Sequence, residues 1–144
     1  LQTLVDDIGI HSIKDAVGDF EFSKKQLELL KDKVDIYSGN DNQTYDFVIN
    51  GGVGVVSVAS HVVGDEISEM ISFAKDNDLE KAEEINMQLS NLFEAIFEEP
   101  SPGPIKKILS ESWEEVGEPL LPITSITPEL ANKIRGFYKK IKEN

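Results

Sequence analysis

GVGVVSVAS, residues 52–60, decides how the first half of the chain is read. Val53, Val55 and Ala59 fall on one parity and Val56 and Val58 on the other, so the run is apolar on both faces. A strand of that kind is expected in a parallel sheet, covered on both sides. Working back, Gly51 and Gly52 stop a helix through Tyr45, Val48 and Ile49. VDIYSG (34–39) reads as a strand ended by Gly39. A helix with Leu27 and Leu30 on one face precedes it, capped by Asp19 or Ser23. HSIK (11–14) reads as the first short strand, ending on Lys14. Working forward, Asp65 is placed to cap a helix carrying Ile67, Met70, Ile71 and Ala74. Strands alternating with helices predict an α/β fold with parallel pairing and right-handed crossovers.

The later chain changes character. Leu79, Ala82, Ile85, Leu89, Leu92, Phe93, Ile96 and Phe97 recur at helical spacing. EEPSPGP (98–104) breaks that helix, and Pro104 suits the first turn of the next. GEPLLPITSITP (117–128) predicts an extended connection. Thr127 and Pro128 then open a last helix with Leu130, Ile134, Phe137, Tyr138 and Ile141 inward and a basic end that suits the helix dipole. The expected division is residues 1–77 for the three β/α units and 78–144 for the helical region. Three parallel strands leave two unpaired edges, so partner strands from another chain or a second copy of this one are expected. A homo-oligomer joined through those edges follows as an expectation.

Composition narrows the function classes. The 144 residues suit one domain-sized unit with a packed core. The net charge of -13, from 27 acidic and 14 basic residues, repels polyanions and argues against a nucleic-acid partner. No apolar run approaches the roughly 18–20 residues of a bilayer span, so a soluble chain without a membrane partner is expected. The absence of cysteine excludes thiolate chemistry and disulfides and fits a cytoplasmic protein. The acidic clusters Glu83–Glu84 and Glu98–Glu99 read as solvated helix faces, and neither a metal nor a cofactor is expected. The chain starts at Leu1 inside what reads as an amphipathic helix (Leu1, Leu4, Val5, Ile8), the pattern of a fragment or a trimmed chain.

Lys14 carries the strongest chemical suggestion. Sites in α/β proteins gather at the carboxyl ends of parallel strands. Lys14, Ser38–Gly39 and the stretch from Ser57 to His61 all fall at such ends. An amine there is placed for nucleophilic attack on a keto acid, which requires an unprotonated fraction. The same spacing also permits a plain ion pair with Asp15 or Asp19, and spacing leaves both readings open. His61 reads as a helix-start packing residue, and His11 falls on the opposite face from Lys14. Trp113 and Tyr138 read as packing anchors. The glycines of GGVGVV precede a strand instead of following one, which excludes a dinucleotide loop.

IKDAVGD (13–19), YSGND (37–41), GGVGVVSVASHV (51–62) and EPSPGPIKKIL (99–109) stand in an order and at intervals that resemble the carboxyl-terminal half of the dihydrodipicolinate synthase family. LPITSIT (121–127) is similar to that family as well. The resemblance implies the last three β/α units of a TIM (β/α)8 barrel, a partial barrel followed by a carboxyl-terminal helical extension. It implies a pyruvate-dependent lyase that condenses pyruvate with aspartate semialdehyde in lysine biosynthesis. Lys14 falls on the family's Schiff-base lysine, and Gly39 and Val56 on positions lining the pyruvate pocket. The family's paired-threonine turn, relay tyrosines and carboxylate-holding arginine belong to its other half, so the chain alone is expected to be inactive. Asn40 stands where many members carry aspartate, Ser101 where asparagine is common and Gly103 where an apolar residue is common. Two alternatives remain at this stage. One is an N-acetylneuraminate lyase or keto-deoxy sugar acid aldolase of the same superfamily; the other is a non-catalytic, self-associating module.

Overall fold

The computed structural model describes residues 1–30 and 32–143. Chain contacts divide it into two compact units. The first is Leu1–Ser57 with Ser68–Glu83; the second is Val58–Ile67 with the chain from Glu84 onwards.

The first unit is built on a three-stranded parallel sheet of β1 (Ser12–Asp15), β2 (Asp35–Ser38) and β3 (Gly54–Val55), in that spatial order. β1 and β2 are joined by helix α1 (Phe20–Leu30), and β2 and β3 by α2 (Thr44–Ile49). Of the two candidate caps for α1, Asp19 is the one that serves, and its Oδ1 accepts the Phe22 N–H at 3.3 Å. Ser23 lies buried inside the helix. Leu27 and Leu30 pack with Ile36, Phe47 and Val5, so both helices cover the face of the sheet from which Ile36 projects. At the amino end only Val5 is buried; Leu1, Leu4 and Ile8 stay exposed on a single π-type turn that stops at Gly9 in the left-handed region. A second cluster joins Val48 to Ala74 and Ala82.

Two expectations need correction here. The apolar run 52–60 contributes a strand of two residues only. A strand extends as far as it has a partner; β3 pairs with β2 alone, and β2 ends at Ser38. The last ladder bond is the Val56 N–H to the Ser38 carbonyl at 2.8 Å, and the Val56 side chain is 48 % exposed rather than covered. Helix α3 (Ser60–Lys75) also begins five residues ahead of Asp65. It bends at Val63 (φ -130°, ψ 37°), where a β-branched residue precedes Gly64 in the weakest helix-forming pair of the segment. Asp65 therefore follows a kink and does not cap the helix start.

Helix α4 (Leu79–Ala95) carries the chain into the second unit, followed by α5 (Gly103–Ser112) and α6 (Pro128–Glu143). Leu89, Leu92, Phe93, Ile96, Ile105, Ile108, Leu130, Ile134 and Ile141 are buried, as their spacing predicts. Trp113 is not an anchor: it sits just beyond the end of α5 and is 70 % exposed. Glu98 and Glu99 are not merely solvated either. Glu99 accepts from the Thr127 N–H at 3.1 Å and from the Thr127 hydroxyl at 2.5 Å, and Glu98 pairs with Lys133. Among the described residues no helix is long and apolar enough to cross a membrane.

Candidate active site

Lys14 is the third residue of β1 and projects from the face that α1 and α2 leave open. Alternation explains this: Ile13 and Asp15 turn toward the helices, while Ser12 and Lys14 turn away. The ion-pair reading of Lys14 is not realised, since among the described residues it forms no salt bridge. Its two candidate partners are engaged in the backbone. Asp15 is buried and its Oδ1 accepts the Val17 N–H at 2.9 Å, which shapes the turn after the strand. Asp19 caps α1.

The registers place neighbours beside the lysine. Lys14 aligns with Tyr37 on β2, and Tyr37 with Gly54 on β3. Two residues further along each strand the chain reaches Ala16, Gly39 and Val56 at the carboxyl rim. Gly39 is tightly hemmed in. A β-carbon there would stand 2.6 Å from the Ala16 Cβ, 2.8 Å from the Lys14 Cε and 3.0 Å from the Asp15 carbonyl oxygen. The Gly39 N–H donates to that same oxygen at 2.6 Å. The stem of Lys14 therefore runs over Gly39 toward the rim. Glycine at 39 makes room for the lysine itself, beyond any room it leaves for a ligand.

The rim is fastened by side chains between strand ends. The Ser38 hydroxyl donates to the Asn40 carbonyl at 2.8 Å and accepts the Asn40 N–H at 3.1 Å, closing the turn after β2. The Asn40 amide donates to Gln43 at 3.2 Å, and Gln43 donates to the Gly18 carbonyl at 2.9 Å, which ties the β2 loop to the β1 loop. Asp41, 2 % exposed, accepts from the Ser57 hydroxyl just past β3. Asn40, Asp41, Gln43 and Ser57 thus hold three strand ends in one frame. Their spatial pairing crosses loops and carries no short-range sequence signal. Asn40 performs its part as an amide, donating where a carboxylate has no proton to give.

His61 lies on the first turn of α3, where it is exposed at the edge of a recess lined by Val62, Leu109 and Tyr138, so the packing role expected of it is not realised. His11 lies ahead of β1 at the opposite end of the sheet, beside Leu27 and Val53. The recess of about 510 Å3 between α5, α6 and the connection 117–126 is lined by neither Lys14, Gly39 nor Val56. Among the described residues no cluster of three His, Asp or Glu is placed to hold a metal ion.

A family model described as the dihydrodipicolinate synthetase family matches residues 1–141. The chain belongs to that family. Among its relatives, the 4-hydroxy-tetrahydrodipicolinate synthase of Microcystis aeruginosa is 43% identical over 132 residues, which is 92% of this chain and 44% of the relative. The dihydrodipicolinate synthase of Bacillus anthracis superposes with a TM-score of 0.86 at 33% identity, over 94% of this chain and 47% of that one. The dihydrodipicolinate synthase of Thermotoga maritima gives 0.91 at 26% identity, over 98% and 49%. The chain spans about half the length of the curated relatives it matches, and the matched part is their carboxyl-terminal half. Three strands among many helices are thus the α/β arrangement of dihydrodipicolinate synthase structures, seen over that half.

Proposed function

We propose that this chain supplies the carboxyl-terminal half of a class I Schiff-base lyase, a 4-hydroxy-tetrahydrodipicolinate synthase acting in lysine and diaminopimelate biosynthesis. The observation that carries this reading is the placement of Lys14. It stands at a strand's carboxyl end, free of ion pairs among the described residues, with its stem led over Gly39 to the rim. Residues 1–77 then correspond to the last three β/α units of a (β/α)8 barrel whose interior is the open face of the sheet. Residues 78–144 form the helical extension.

In this reading the Lys14 amine attacks the keto carbon of pyruvate. The carbonyl oxygen leaves as water and a carbon–nitrogen double bond forms. Loss of a proton from the pyruvate methyl group gives an enamine, whose carbon attacks the aldehyde of aspartate semialdehyde. Val56, half-exposed beside Gly39 on the same rim, supplies an apolar wall and strand backbone against the bound keto acid. The frame of Asn40, Asp41, Gln43 and Ser57 fixes these positions relative to one another. Proton relay and the second carboxylate's anchor belong to the family's other half, so this chain alone binds pyruvate covalently and turns over little.

A condensation assay with pyruvate and aspartate semialdehyde tests this directly. Turnover by the verified 144-residue chain at a full-length relative's rate contradicts the inactive-half reading. Cleavage of N-acetylneuraminate after complementation with an amino-terminal half, without condensation, contradicts the choice of acceptor. The edges of β1 and β3, unpaired among the described residues, support association with further strands, as in a homo-oligomer. Sedimentation as a monomer at micromolar concentration contradicts that part.

A further inference from the structure

The two peptides that flank Val56 are held by different means. β3 ends at Val55, and its ladder to β2 closes with the Val56 N–H on the Ser38 carbonyl at 2.8 Å. That bond fixes the peptide before Val56. The peptide after it leads into Ser57, whose hydroxyl donates to the Asp41 Oδ1. A residue has only two soft backbone dihedrals, so holding the chain on both sides sets the direction of its side chain. Two residues past Gly54, Val56 falls on the parity of the face from which Lys14 projects.

The Asp41 end of this bond is firmly based. Asp41 is 2 % exposed and opens the short 3-10 turn Asp41–Gln43. The Asn40 carbonyl accepts the Gln43 N–H at 3.2 Å, the Ser38 hydroxyl at 2.8 Å and the Thr44 hydroxyl at 3.4 Å. Gly39, just before, donates its N–H to the Asp15 carbonyl at 2.6 Å. The Asp41 carboxyl thus hangs from the strand end that carries Gly39 and reaches the residue that follows Val56. Inside a protein such a bond is stronger than in water, which suits a clamp just past a strand of two residues.

We propose that Asp41 is a positioning residue for keto-acid binding: through Ser57 it sets the direction of Val56 and so the gap between Val56 and Gly39 on the rim. The role rests on the reading of Lys14 as the Schiff-base nucleophile and of this rim as the pyruvate pocket. Asp41 acts on the wall that receives the keto acid, not on the Lys14 amine. Its loss therefore weakens binding and spares the bond-forming step.

The test compares the wild-type chain with Ser57→Ala, Ser57→Thr, Asp41→Ala and the double variant Asp41→Ala/Ser57→Ala. Each is mixed with increasing pyruvate and quenched with borohydride, and the Lys14 adduct is quantified by peptide mass spectrometry. Ser57→Ala and Asp41→Ala are expected to raise the half-saturating pyruvate concentration about fivefold or more, with the maximal trapping rate within about twofold of wild type. Ser57→Thr, which keeps a hydroxyl, is expected to restore half-saturation. The double variant is expected to bind no more weakly than Asp41→Ala, because both changes break one bond. A wild-type half-saturation in folded Ser57→Ala overturns the proposal, as does a loss confined to the maximal rate, or effects that multiply in the double variant. Should Asp41→Ala fail to fold, Ser57→Ala and Ser57→Thr still decide. A second readout uses no pyruvate. In chains carrying 13C-methyl valine, the Val56 methyl order parameters are expected to fall in Ser57→Ala and to recover in Ser57→Thr; unchanged values in Ser57→Ala overturn the proposal. An adduct missing from the wild type contradicts the role of Lys14, while these order parameters still decide whether the Asp41–Ser57 bond holds Val56.

Discussion

The Cε of Lys14 lies 2.8 Å from the point a β-carbon would occupy on Gly39, a distance no side chain at 39 can share. Gly39→Ala must therefore displace the lysine, the strand end or both, because Ala16 and the Asp15 carbonyl crowd the same point. We expect Gly39→Ala to slow pyruvate trapping about tenfold or more. Adding Ala16→Gly removes the 2.6 Å contact and leaves the lysine contact in place. The double variant should regain thermal stability and remain slow in trapping. Recovery of both together would show that Gly39 serves packing alone.

In the second unit, Glu111 accepts from Arg135 Nε and Nη2, both at 2.7 Å, with Lys107 at 3.2 Å. Hydrogen bonding from Arg135, then from Lys107, lowers the Glu111 pKa from 4.5 to about 2, against the opposing effect of burial. A carboxylate with a depressed folded-state pKa stabilises the fold above its unfolded value and loses that contribution as pH falls through the folded one. The stability difference between wild type and Glu111→Gln should therefore be constant above about pH 5.5 and shrink between about pH 4.5 and pH 2. Solvent screening of this partly exposed pair limits it to about 1 kcal/mol. Urea unfolding across pH checks it; a difference that does not narrow on acidification contradicts the assignment.

Thr127 caps α6 and is itself held by Glu99. Its hydroxyl accepts the Leu130 N–H at 3.4 Å, and Glu99 receives both its N–H and its hydroxyl. Thr127→Ala removes the cap and one charge-assisted bond, for an expected loss of about 1–2 kcal/mol. Glu99→Gln keeps the shape and loses the charge, so it should fall between Thr127→Ala and wild type in denaturant unfolding.

Phe47 is completely buried among Val5, Leu27, Leu30 and Ile36, with its ring centroid 5.9 Å from that of Phe20. Phe47→Ala empties the space between α1, α2 and β2 and should cost about 3–5 kcal/mol. That approaches the whole stability of many domains, so loss of cooperative unfolding by circular dichroism is the expected readout.

The sequence made the alternation of strands and helices legible because amphipathic helices at Leu27–Leu30 and Ile67–Ala74 carry their own period. It did not show that the apolar run after Gly52 leaves the sheet at Val56, because strand length depends on a partner that composition does not reveal. Asp65 looked like a helix cap for want of any signal that the helix had begun at Ser60. At the site, Lys14 and Gly39 were visible as residues at strand ends, while Val56, in the middle of the expected strand, entered only through the family resemblance. What no local pattern held was the register: Lys14 beside Tyr37, and its stem over Gly39, are contacts between strands more than twenty residues apart.

The proposed chemistry stands or falls on Lys14, and the most direct test is borohydride reduction of the intact 144-residue chain in the presence of pyruvate. Hydride delivery to the carbon–nitrogen double bond leaves a stable secondary amine, which peptide mass spectrometry locates. The expected result is one pyruvate-derived adduct, on Lys14, absent from Lys14→Arg. An adduct spread over surface lysines, or none on Lys14 in a folded wild-type chain, would contradict it.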